Sequence, residues 1–110
     1  MNVYQVKLTQ QADMQLEETA YYIAVELSNP DASEKLVDEI LDGAEKLSFN
    51  PEKYRTIDEQ PWGQKGVRKK RVKNYYVYYW IDIEESTVWI IGVVFIGRDQ
   101  REFLKTLVMR

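Results

Sequence analysis

The 110-residue sequence is 45% hydrophobic and 30% charged, with 14 aromatics, three prolines and five glycines. That length and composition fit a single domain spanning 1–110 with one modest core, and they exclude a disordered or collagen-like chain. Cys and His are both absent, which removes disulfides, thiolate nucleophiles, imidazole bases, Ser-His-Asp triads and Cys- or His-ligated metals together.

Any catalysis is therefore left to Lys, Arg, Tyr, Asp, Glu or Ser, and no cofactor is expected. The start Met1-Asn2-Val3-Tyr4-Gln5 has no basic residue followed by an apolar run, so no signal peptide is read. The longest apolar stretch, Val88 to Ile96, is far shorter than the roughly 20 residues that span a bilayer. A cytoplasmic location is the expectation.

The net charge of −3 hides a segregation. From Asp13 to Glu52 eleven acids face only Lys35 and Lys46, for a net −9, whereas Gly63 to Trp80 holds six bases and no acid. Such asymmetry marks either a polyanion or partner surface, or acids solvating helix faces with bases set opposite.

In chain order, Val3 to Leu8 alternates with Tyr4, Val6 and Leu8 on the more apolar face and reads as a half-buried strand. Thr9 suits the N-cap of a helix over Gln10–Leu27, with Ala12, Leu16, Ala20, Ile23 and Leu27 as its inward stripe. Asn29 and Pro30 suit the cap and first turn of a second helix over Pro30–Phe49, facing inward through Leu36, Val37, Ile40, Leu41, Ala44 and Leu47. The short break between them predicts an antiparallel helical hairpin.

Residues 52–66, with Pro61, Gly63 and Gly66, read as a long loop. Val67–Lys73, Tyr75–Ile83 and Thr87–Ile96 then read as three strands of an antiparallel meander. Tyr75, Val77, Tyr79 and Ile81 fall on one face of the middle strand, and Tyr76, Tyr78 and Trp80 on the other. Aromatics beside bases can stack on nucleobases, but sheet-face packing is the commoner use, and Trp80 and Trp89 suit core or partner contacts. Asp99, with Glu102 three residues on, opens a short C-terminal helix over Gln100–Val108 as in a capping box. The expected fold is α+β: N-terminal strand, helical hairpin, three-stranded antiparallel meander and short C-terminal helix, with the hairpin on one side of a curved sheet.

This order and several motifs resemble the RelE/ParE toxin superfamily. The motifs are Leu16-Glu17-Glu18-x-x-x-Tyr22-Ile23-Ala24, Asn29-Pro30-x-Ala32, Leu47-x-x-Asn50-Pro51, Gly66-Val67-Arg68, Tyr75-x-Val77-x-Tyr79 and Gly97-Arg98-Asp99. The resemblance implies a toxin of a bacterial type II toxin–antitoxin system, neutralised by a cognate antitoxin whose tail wraps it. It offers two targets: ParE-like members inhibit DNA gyrase, whereas RelE-like members are ribosome-dependent mRNA endoribonucleases. The hairpin motifs look more like the ParE side.

For ribonuclease chemistry the resemblance points to Arg68 and Lys70 on a central strand and Arg98 after the last one. Three departures weigh against it: Tyr76 stands where RelE enzymes carry Arg, Phe95 where relatives carry His, and Phe103 where a stacking Tyr is expected. The non-catalytic ParE-like reading is therefore preferred. RelE-like endoribonuclease is the alternative, and a non-toxic antitoxin-binding or regulatory member the second. The expected target- or antitoxin-binding residues are Arg68, Lys70, Arg71, Lys73, Tyr76, Arg98 and Arg101. An acidic antitoxin tail would suit the basic strand, and homodimerisation through the sheet edge or the hairpin stays an alternative.

Overall fold

A computed structural model describes residues 3–110. Strand β1 (Gln5–Leu8) leads into helix α1 (Gln10–Tyr21), and α2 (Pro30–Glu45) returns against it. Strands β2 (Arg68–Val72), β3 (Tyr75–Asp82) and β4 (Thr87–Phe95) follow, and α3 (Gln100–Leu104) comes last. The meander is antiparallel as expected, and β1 joins it in parallel beside β4, giving a mixed sheet in the order β1-β4-β3-β2. The α+β architecture read from the sequence is the one observed.

The predicted caps form. Thr9 accepts from Ala12 N at 3.2 Å, Asn29 from Ala32 N at 3.1 Å with Pro30 in the first turn, and Asp99 from Glu102 N at 3.2 Å. These bonds satisfy donors that a helix start leaves orphaned. The Glu102 carboxylate does not complete a box; it pairs with Lys105 at 3.2 Å.

The hairpin differs from the regular helices expected. After Tyr21 the helix widens into a π-helical turn over Tyr22–Glu26, in which Leu27 N donates to Tyr22 O. The wider turn breaks the 3.6-residue stripe, so Ile23 is only half-buried and Leu27, expected inside, is 55% exposed. Likewise α2 tightens to a 3₁₀ turn at Lys46–Ser48, and Leu41 lies 40% exposed on its outer side. The C-terminal helix ends at Leu104, short of the predicted Val108.

Strand alternation places two apolar clusters on opposite faces of the sheet. Val77, Tyr79, Val88, Ile90 and Val93 pack under the hairpin with Ala12, Leu16, Ile40, Ala44 and Leu47. Tyr78, Ile91 and Val94 pack with Phe103 and Leu104 of α3, and with Ile57 and Val67 from the segment before β2. A bulge in β4 separates the two registers: Tyr78 pairs with Gly92 and Tyr79 with Ile90, leaving Ile91 unpaired. The freed N–H of Val93 is taken by Gln15 Oε1 of α1 at 2.9 Å. Residues 52–66 are less of an open loop than their composition suggests. Ile57 and, just before them, Pro51 are buried, and Ile57 N donates to Val67 O at 2.9 Å.

Candidate functional site

Strand β2 carries the densest charge, and its alternation divides that charge between two faces. Lys70 points toward the hairpin, where its ammonium donates to Gly43 O of α2 at 2.8 Å, and Val72 packs beside it. Arg68 lies toward the same side and donates to Tyr54 O and, at 3.4 Å, to Glu52 O. These two side chains hold α2 and the 51–54 segment to the strand.

On the opposite face Lys69 sits with its ammonium 4.4 Å from the ring centroid of Tyr76, a cation–π contact. Arg71 folds along the β2–β3 turn, donating to Lys73 O at 2.8 Å and Asn74 Oδ1 at 3.4 Å. Lys73 reaches back from that turn to Glu39 of α2 at 3.4 Å.

Arg98 lies beyond the C-terminal end of β4, an inner strand of the sheet. It follows a turn after β4, its guanidinium carbon is 5.4 Å from the Phe103 ring, and it borders a groove of about 800 Å³ between α1 and the C-terminal segment. Arg101 is exposed on α3.

The three ribonuclease candidates do not converge. Val72, Tyr75 and Phe95 are aligned across the sheet, so Arg68, four residues back along β2, is displaced about 13 Å along the strand from the Arg98 end. β2 and β4 are also two strands apart, which adds about 10 Å across the sheet. Arg71, Lys73 and Tyr76 do cluster, at the β2–β3 turn.

Sequence reasoning passed over Lys69, whose position was legible, since alternation puts it opposite Arg68 and Lys70. It also passed over Lys46, Lys53 and Tyr54, which only the tertiary structure brings against Lys70. Burial first, then the ammonium groups of Lys46 and Lys53, hold the Lys70 amine below the ordinary lysine range. Among the described residues no cluster of three or more acids could hold a metal ion.

Set beside known proteins, residues 6–101 match the family model for the ParE toxin of the type II toxin–antitoxin system parDE. The chain belongs to the ParE toxin family. No curated protein gives a significant match to this family member. Its fold is similar to a chain of the chromosomal ParDE system from P. aeruginosa, with TM-score 0.70, 16% identity, and 86% of this chain and 98% of that one covered. It is also similar to a chain of the toxin–antitoxin complex RelBE2 from Mycobacterium tuberculosis, with TM-score 0.66 and 22% identity over 86% and 93% of the two chains. A mutant of the E. coli toxin RelE in the free state gives TM-score 0.63 at 10% identity, with 92% of each chain covered.

In this ParE-family chain the three departures from the RelE pattern are packing residues. Tyr76 stacks under Lys69 and beside Tyr78, with ring centroids 6.2 Å apart. Phe95 meets Tyr75 edge to face at 5.8 Å. Phe103 is buried against Tyr78 at 5.8 Å. No described helix is long and apolar enough to cross a membrane.

Proposed function

We propose that this ParE-family chain is the toxin of a type II toxin–antitoxin pair and acts without catalysis, by binding and poisoning DNA gyrase in the cytoplasm. The observation that carries the reading is the dispersal of Arg68, Lys70 and Arg98. In-line RNA cleavage needs a base, a charge stabiliser and an acid within hydrogen-bond reach of one phosphate. Arg68 and Lys70 instead donate to backbone carbonyls, and Arg98 stands beyond the end of β4, two strands away from β2.

A cognate antitoxin is the neutralising partner. The family and the toxin–antitoxin complexes of similar fold support it, as do surfaces suited to an amphipathic acidic tail. Tyr21, Tyr22, Val25 and Leu27 are exposed apolar side chains at the hairpin tip, and Lys69 and Arg71 stand on the basic strand.

The test is expression of the chain without antitoxin while plasmid supercoiling and protein synthesis are followed together. Supercoiling is expected to change before translation falls, and Arg98→Ala and Lys70→Ala are expected to remain toxic if folded. Arrested translation with cleaved mRNA and normal supercoiling would select the ribonuclease reading instead. Unimpeded growth would select the non-toxic binding member.

A further inference from the structure

We propose that Lys46, Lys53 and Lys70 form a binding site for a phosphoryl group, with the Tyr54 ring as its apolar wall. The site lies on the hairpin side of β2, away from Tyr76 and Arg98, and it does not depend on which target the toxin uses.

Three observations converge on it. First, the Tyr54 ring has an ammonium on each of two neighbours: Lys53 Nζ is 5.6 Å and Lys70 Nζ 6.0 Å from its centroid. Second, the segment that carries Lys53 and Tyr54 is fixed in place. Arg68 donates to Tyr54 O and Glu52 O, and the buried Tyr79 hydroxyl donates to Pro51 O at 2.6 Å. Third, Lys70 is anchored by Gly43 O at 2.8 Å, which uses one of its three donors. Close approach makes that anchor possible, because a Cβ on Gly43 would lie 2.6 Å from Val72 Cγ2.

The cations are not neutralised within the fold. Lys46, Lys53 and Lys70 have no ion-pair partner among the described residues. Lys46 and Lys70 line a cleft of about 320 Å³ that Asp42 and Glu39 also border, with Glu39 held by Lys73 at 3.4 Å, and Lys53 is joined to Lys70 across the Tyr54 ring rather than through that cleft. Lys46 follows the C-terminal end of α2, where a lysine is favourable against the helix dipole. That accounts for one cation there and for the Lys70 anchor. It does not account for Lys53, which arrives from a separate 3₁₀ turn and adds to the repulsion that lowers the Lys70 amine. A phosphoryl dianion among the three relieves that repulsion and accepts the unused donors.

The experiment is NMR titration of the full chain with inorganic phosphate, AMP and a short single-stranded oligothymidylate, following the Tyr54 ring and Lys70 Cε signals. Saturable shifts are expected with at least one probe, together with a rise in the Lys70 pKa. Affinity is expected to fall about tenfold or more in the double variant Lys46→Met/Lys53→Met. Both side chains are exposed, so the variant should fold; Lys53→Glu is an independent check with the same expected direction. Saturation by phosphate and AMP identifies a small phosphomonoester, whereas saturation by the oligonucleotide alone identifies backbone phosphate. Absence of saturation with all three probes, or undiminished affinity in the variants, would overturn the site.

Discussion

Arg68, expected to face a target, is spent on the fold, and the buried Tyr79 hydroxyl joins it there. Both donate to carbonyls of the 51–54 segment, which has no strand of its own to satisfy it. Arg68→Ala leaves two of those carbonyls short of a donor and is expected to cost about 1–3 kcal/mol in urea denaturation. Both bonds leave one guanidinium nitrogen, so Arg68→Lys, which keeps a charged donor group on a shorter side chain, should recover part of that loss. The tyrosines also set a pH limit. Burial, the largest cause for each, pushes the Tyr78 and Tyr79 hydroxyls well above their ordinary value. Above about pH 10 the unfolded chain loses those protons while the folded chain keeps them, so stability falls as pH rises, by up to about 1.4 kcal/mol per pH unit for each tyrosine. Tyr79→Phe should flatten that alkaline slope, measurable as the pH dependence of the urea midpoint.

At the level of elements, the β4 bulge and the approach of α2 to β2 decide which side chains meet. Gln15 completes the bulge by accepting from the buried Val93 N–H. Gln15→Ala should destabilise the protein by about 1–3 kcal/mol, whereas Gln15→Glu keeps the acceptor and should recover most of the loss in thermal unfolding. Gly43→Ala would press on a β-branched valine that has little room to rotate, and a cost of about 1–3 kcal/mol is expected. The same substitution should displace the Lys70 anchor and weaken phosphate binding, a second readout that crowding elsewhere in α2 would not produce. The π-helical turn belongs to this scale as well, because it turns Leu27 outward and enlarges the apolar tip of the hairpin.

Across the whole molecule, the charge of the hairpin and that of the meander meet where α2 lies against β2. Lys73 with Glu39 is the cross-link at that seam, and Lys70 on Gly43 O is its neutral counterpart. An acidic antitoxin tail bound along β2 would gain from the surplus cations, so raising salt from about 0.1 M to about 1 M, where the screening length drops from ~10 to ~3 Å, should weaken the complex. It should not abolish it, because apolar anchors on the hairpin are insensitive to screening. Titration calorimetry of the purified pair at the two salt concentrations checks both parts, and an unchanged affinity would remove the basic strand from the interface.

How much of this was legible along the chain follows from the range of each interaction. Caps at Thr9, Asn29 and Asp99, the two-face alternation of Tyr75 to Ile81, and the hairpin-plus-meander order depend on neighbours a few residues apart, and these were read correctly from sequence alone. The same local patterns, in the conjunction quoted above, carried the toxin superfamily. What depended on distant contacts was not legible. The parallel docking of β1 beside β4, the π-helical turn that exposes Leu27, and the use of Arg68 and Lys70 as internal donors arise where segments tens of residues apart are packed. Sequence by itself determined the fold class, the segregation of charge and the exclusion of Cys and His chemistry, because composition and short-range periodicity suffice for those. Only the tertiary structure decided which cations are free and which are spent, because a strand's alternation gives each side chain a face but not the carbonyl or ammonium that waits on it.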